Sequence, residues 1–140
     1  MSAAVTWVHD EMLSATVLTP GQSAVFVYDE AWLRCEGMSL KRIVFMHECL
    51  CEMPGVEVRR GDVVHEVRAF AERHSAHVIE TFASRDPRLQ AQARELGAQL
   101  LEPEPFIDLP AGVDLKRFSR YWRRAEPLVF RKPSEPAEKL

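Results

Sequence analysis

Short apolar runs alternate along this chain with longer amphipathic stretches, and this alternation constrains the fold more than any other feature. The runs are rich in β-branched and aromatic residues and carry few charges, which is typical of strands buried on both faces of a parallel sheet. Five runs are predicted as strands: Ala3–Val8, Ala24–Tyr28, Val56–Val58, His77–Phe82 and Gln99–Leu101. The sequence therefore predicts an α/β fold with a five-stranded, mostly parallel, doubly wound Rossmann-like sheet that has helices on both faces.

Capping residues mark where the helices between these strands begin. Four helices are predicted, and they begin after Ser39, Asp62, Asp86 and Asp114. The first runs to about Met53 because Pro54 and Gly55 follow it. The third helix has Pro87 at its first position and Gly97 just past its end, which are the positions that these residue types prefer at helix ends.

Length, charge and cysteine content limit the class of protein. The chain has 140 residues, which fits one domain, predicted here as residues 1–125 with a linker-like, disordered tail over 126–140. Its net charge of −3 argues against a nucleic-acid-binding chain, and no apolar run is long enough to span a bilayer. We see no signal peptide at the start, and three cysteines do not indicate a disulfide scaffold. We therefore expect a soluble, cytoplasmic protein.

Polar residues follow several predicted strands. Because the carboxyl ends of parallel strands share one edge of a sheet, and ligands bind there where the strand order reverses, these residues form the first candidate site. They are His9, Asp10, Glu11, Tyr28, Asp29 and residues 83–85.

The chain has no recognisable catalytic or metal motif. The first strand is followed by no glycine until Gly21, so the phosphate-cradling loops of dinucleotide-binding and P-loop proteins are missing. Adjacent residues such as His9 and Asp10 rarely converge on one metal ion. A hydrolase or transferase that uses His9 with Asp10 or Asp29 as a base remains the third-ranked alternative.

The strongest local charge feature is residues 114–124, DLKRFSRYWRR. Cations interleaved with aromatic residues can bind phosphates and stack on bases. The aromatic residues also fall at helical spacing, so we favour a terminal helix that packs its aromatic side on the protein and keeps its cations in water.

The order of several loose motifs carries a family resemblance. Two segments are similar to the two opening strands of a known family: residues 5–12 (VTWVHDEM) and residues 24–29 (AVFVYD), which end in Asp29. Residues 42–53 (RIVFMHECLCEM) resemble the helix that follows in that family. Residues 56–62 resemble its next strand, which ends in Gly-Asp. Residues 118–122 (FSRYW) match an aromatic segment. In this order the chain resembles the N-terminal α/β domain of the DNA photolyase and cryptochrome family over about residues 4–125.

The resemblance implies a stand-alone binding module. In that family this domain can hold an antenna chromophore such as flavin mononucleotide (FMN), a folate or a deazaflavin. The implied cofactor-binding residues are His9, Asp10, Glu11, Met12, Tyr28, Asp29, Phe45 and Ser84. The family's FAD and DNA lesion bind a large helical domain that would follow, so we expect neither FAD binding nor photorepair from this chain alone. A separate flavin-binding subunit is one expected partner, whereas DNA bound by this chain alone and a membrane are not.

The alternative is an interaction module without a small-molecule ligand. The helix predicted from residue 40 to 53 is apolar around most of its circumference, which is more than one buried stripe requires. An interface with another protein, or with a second copy in a homodimer, could cover the additional apolar side.

Overall fold

The predicted α/β fold is confirmed by a computed structural model, which describes residues 4–130. The strands are β1 (Ala4–Val8), β2 (Ala24–Tyr28), β3 (Val56–Arg60), β4 (Val78–Phe82) and β5 (Gln99–Leu101). They form one sheet in the order β3-β2-β1-β4-β5, and every neighbouring pair is parallel. The described chain divides into two compact units, one ending at Pro103 and the other beginning at Glu104.

Three of the five described helices begin at the capping residues predicted from the sequence. The five helices are α1 (Glu30–Cys35), α2 (Leu40–Cys51), α3 (Val63–Arg73), α4 (Pro87–Leu96) and, in the second unit, α5 (Phe118–Val129). The side chains of Ser39, Asp62 and Asp86 each accept a hydrogen bond from a backbone amide in the first turn of α2, α3 and α4. Gly97 ends α4 in the left-handed conformation, with a φ of +64°, which a residue with a Cβ adopts only under strain.

Both faces of the sheet are covered, which explains why the strand sequences are continuously apolar. Alternate residues of a strand point to opposite faces. Trp7 and Val25 therefore pack with Phe70 of α3 and Leu89 of α4 in one core cluster. On the other face, a second cluster contains Val8, Phe26, Met46, Leu50 and Met53, and Met46 and Leu50 come from α2.

The strand order reverses beside the central strand β1. The chain moves outward from β1 through β2 to β3, and then returns to the other side of β1 to form β4 and β5. The crevice between the carboxyl ends of β1 and β4 is therefore the topological switch point, where ligands bind in open α/β sheets.

Several segments differ from the sequence-based expectation. Strand β3 extends past Val58 to Arg60, because charged residues are tolerated on a strand at the edge of a sheet. The short helix α1 and the 3-10 turn Ala15–Val17 were not predicted.

The last helix begins at Phe118 and not directly after Asp114. The carboxylate of Asp114 accepts a hydrogen bond from the Lys116 amide and pairs with Arg120, which forms a turn before the helix begins. The helix also covers residues 126–129, the start of the segment predicted as a tail, and residues 131–140 lie outside the described part of the chain.

Candidate functional site

His9 joins the two strand ends at the switch point. It directly follows β1, and its side chain is 4% exposed. The Nδ1 atom accepts a hydrogen bond from the Glu11 amide at 3.2 Å, so the ring hydrogen lies on Nε2, which donates to the Phe82 carbonyl of β4 at 2.9 Å. Because both ring nitrogens are bonded to the backbone, this arrangement favours a structural role for His9 over that of a general base.

A second contact closes the space on one side of His9, between the carboxyl ends of β1 and β2, which we call the β1–β2 crevice. Nη2 of Arg88, in the first turn of α4, lies 3.0 Å from both carboxylate oxygens of Asp10. The guanidinium carbon also lies 3.7 Å from the centre of the Trp32 ring, a cation–π contact with α1. The space left between these groups is about 20 Å³, room for roughly one water molecule.

The structure brings half of the predicted binding residues together at the β1–β2 crevice. His9, Asp10, Tyr28 and Asp29 all line it, because β1 and β2 are adjacent and parallel. Asp29 also caps α1, since its Oδ1 accepts a hydrogen bond from the Trp32 amide at 3.2 Å.

The other predicted residues lie elsewhere. Glu11 is exposed beside His9, and Met12 is 1% exposed in the core cluster beneath the loop. Phe45 is 62% exposed on α2 and lines neither the β1–β2 crevice nor the two larger cavities described below. Ser84 follows β4, where its Oγ accepts a hydrogen bond from the Asp86 amide at 3.0 Å.

An open cleft of about 400 Å³ lies on the other side of His9, and we call it the β4 cleft. Its inner wall is apolar and its rim carries two polar side chains, Gln90 and Arg94. Residues from β1, β4, α4 and β5 line it: Trp7, His9, Thr81–Ser84, Leu89, Gln90, Ala93, Arg94, Gly97, Ala98 and Leu100.

Of these lining residues, the sequence-based predictions included only His9, Ala83 and Ser84. Small side chains create the space for this cleft, because Ala93, Gly97 and Ala98 lie where α4 ends and the chain enters β5. The sequence shows that these residues are small. A helix end followed by a strand start also accounts for small residues at these positions, so they did not indicate a cleft. Leu100, 54% exposed although it belongs to a strand, is the clearest sign of an uncovered wall.

A third cavity, the α1–α2 groove, has a volume of about 500 Å³ and an apolar floor that includes Leu33, Ile43 and Val44. The Tyr28 hydroxyl beside it is buried and has no hydrogen-bond partner among residues 4–130. Burial raises the pKa of Tyr28, and the nearby Cys51 and Cys49 add to this effect. This groove could not be predicted from the sequence, because α1, which forms one side of it, was not predicted.

Within residues 4–130, no three side chains of the metal-ligating types come close enough to hold an ion. None of the helices described there combines the length and apolar character that crossing a bilayer requires. Comparison with models of known protein families finds no match for this chain, and comparison with curated proteins finds no similar sequence.

Proposed function

We propose that this chain is a photolyase-like α/β binding module that holds a nucleotide-like, flavin or folate chromophore in the β4 cleft. The observation that carries the proposal is that one end of this cleft, lined by His9, Ala83 and Ser84, lies beside the carboxyl ends of β1 and β4, where the strand order reverses. Its volume of about 400 Å³ falls within the range of small-molecule sites.

The chemistry of the cleft fits a planar, anionic ligand. Leu89 and Leu100 offer an apolar wall for a ring system, and Gln90 and Arg94 lie on the rim. Arg94 is exposed, and its side chain makes only one polar contact with residues 4–130, from its Nε to the Gln90 carbonyl at 3.4 Å, which leaves its charge available to a ligand phosphate. The flavin and folate classes come from the resemblance to the photolyase and cryptochrome family.

The hydrogen bonds of His9 favour a site that binds a ligand without catalysing a reaction. His9 is the titratable side chain deepest in the cleft, and its nitrogens are already bonded to Glu11 and Phe82. A reaction that used His9 as a base would first have to break one of these bonds.

Flavin titration of the full chain tests the proposal. FMN should bind, and Leu100→Glu should weaken FMN binding roughly tenfold or more, because a carboxylate would then stand in the apolar wall. Leu40→Glu is the matched control, since Leu40 is 74% exposed on α2 and outside the cleft. Arg94→Gln should weaken FMN but leave riboflavin, which lacks the phosphate, unchanged. If FMN, a reduced folate and ATP all fail to bind the unsubstituted chain, the β4 cleft is not such a site.

The second candidate function is self-association through α2, and the charge order of that helix favours it. Leu40 and Val44 form an exposed apolar stripe, 74% and 46% exposed. Lys41 flanks one end of this stripe, and Glu48 and Glu52 flank the other. Two copies related by a two-fold axis, with their α2 helices antiparallel, would therefore bring Lys41 of one copy to the acidic end of the other.

Light scattering over a range of protein concentrations tests this candidate. A dimer is expected, and Leu40→Glu should shift it to monomer, whereas Leu100→Glu should not. The reversal Lys41→Glu should also weaken the dimer, and adding Glu48→Lys to the same chain should restore it. A monomer at every concentration would reject self-association.

A further inference from the structure

The arginines of helix α5 form a cationic face that the proposed function leaves unused. Arg120, Arg123 and Arg124 are exposed, and the last two lie three and four residues after Arg120, so all three share one side of the helix. Arg120 pairs with Asp114, but Arg123 and Arg124 have no carboxylate partner within residues 4–130. Two guanidinium groups are thus available to an anion.

These arginines line an open cavity of about 520 Å³ together with residues 110–114. Gly112 bends this loop with a φ of +86°. The carboxylate of Asp114 also faces the cavity, but its charge is compensated. A hydrogen bond from the Lys116 amide and another from Arg120 lower the pKa of Asp114 and hold it in place. The cavity therefore keeps a surplus of positive charge.

The aromatic residues of α5 lie on its other side. Phe118 and Trp122 stack with 6.0 Å between ring centres and 11° between ring planes. At about 100° per residue, this pair points away from the arginine face, and none of the described aromatic side chains lines the cavity. A nucleic acid strand with its phosphates on the arginines would find no ring there for its bases. A compact phosphate ligand fits the arrangement better.

From these observations we propose that the α5 cavity binds a diphosphate or triphosphate group through Arg123 and Arg124. Each planar guanidinium group can donate paired hydrogen bonds to the oxygens of a phosphate, whereas the ammonium group of a lysine acts as a point charge. Such a group could be free pyrophosphate or the phosphate chain of a nucleotide. The site uses no residue of the β4 cleft and does not depend on the function proposed for it.

Calorimetric titration of the full chain with inorganic pyrophosphate tests this site. Pyrophosphate should bind, and the double substitution Arg123→Gln/Arg124→Gln should weaken binding roughly tenfold or more. The matched control is Lys116→Gln/Arg117→Gln, which removes the same charge from side chains that do not line the cavity. The control should retain most of the affinity. Leu100→Glu should have no effect, which separates this site from the β4 cleft.

Parallel titrations distinguish the sources of the phosphate. If ATP and pyrophosphate bind equally, the phosphate chain alone is recognised, whereas tighter ATP binding that also depends on Arg123 and Arg124 assigns the site to nucleotides. The proposal is overturned if pyrophosphate does not bind, or if both double variants lose affinity equally, since net charge alone would then explain binding. It is also overturned if a single-stranded oligonucleotide binds and pyrophosphate does not.

Discussion

His9 illustrates what a single buried polar residue does at the centre of this fold. It links the ends of β1 and β4 through bonds to the Phe82 carbonyl and the Glu11 amide. The sequence located His9 at a strand end, and the structure agrees. The bond to the Phe82 carbonyl could not be predicted, because this partner is 73 residues away and its position depends on the strand order.

Removal of this link should destabilise the folded chain. His9→Ala would leave the Phe82 carbonyl and the Glu11 amide without partners and open a cavity against Trp7, so we expect the free energy of unfolding to fall by about 2 kcal/mol. Urea denaturation measures this change. His77→Ala, at an exposed histidine, is the control and should have little effect. Equal losses in the two variants would show that His9 does not hold the strand ends together.

Tyr28 should make the free energy of unfolding decrease as the pH rises in the alkaline range. Burial raises its pKa, with Cys51 and Cys49 adding to the effect, so the folded chain retains this proton to a higher pH than the unfolded chain. The stability from Tyr28 is therefore fully present below the unfolded pKa of about 10 and is lost as pH rises through the folded value.

Comparison of the unsubstituted chain with Tyr28→Phe isolates this contribution. At neutral pH the variant should be at least as stable, because the hydroxyl that it lacks is buried without a partner among the described residues. Above about pH 10 the unfolding free energy should fall more steeply for the unsubstituted chain than for the variant. Parallel pH profiles for the two proteins would contradict the account of Tyr28.

The helices were predictable where a capping side chain and an apolar stripe agree. Ser39, Asp62 and Asp86 cap α2, α3 and α4 as the sequence indicated. Helix α1 was missed because it has only six residues and no buried side chain, and because its cap, Asp29, was interpreted as a binding residue. A short helix held by its cap leaves no periodic pattern to detect.

The cap of α3 provides a test at this scale. Oδ2 of Asp62 accepts a hydrogen bond from the His65 amide at 2.9 Å. Asp62→Ala should therefore lower the free energy of unfolding by about 1 kcal/mol, whereas Asp62→Ser, which keeps a capping oxygen, should lower it by much less. Thermal or urea unfolding distinguishes the two. An alanine variant as stable as the serine variant would mean that the cap contributes nothing.

For the molecule as a whole, the sequence predicted the layers but not the cavities. Five parallel strands with helices on both faces followed from apolar runs and caps. The space at the carboxyl edge depends on side chains that meet only after folding. Arg88 and Trp32 fill the β1–β2 crevice, where a site was expected, and the room lies instead in the β4 cleft.

The most direct test of the proposed binding site is to map where FMN contacts the folded chain. Amide chemical shifts of the isotope-labelled protein, followed by NMR during titration with FMN, report this residue by residue. We predict that the largest shifts occur around the β4 cleft, at Ser84, Gln90, Gly97 and Leu100, and that α2 amides remain unchanged. Saturating FMN that leaves these amides unmoved, or that shifts only amides outside the cleft, would contradict the assignment.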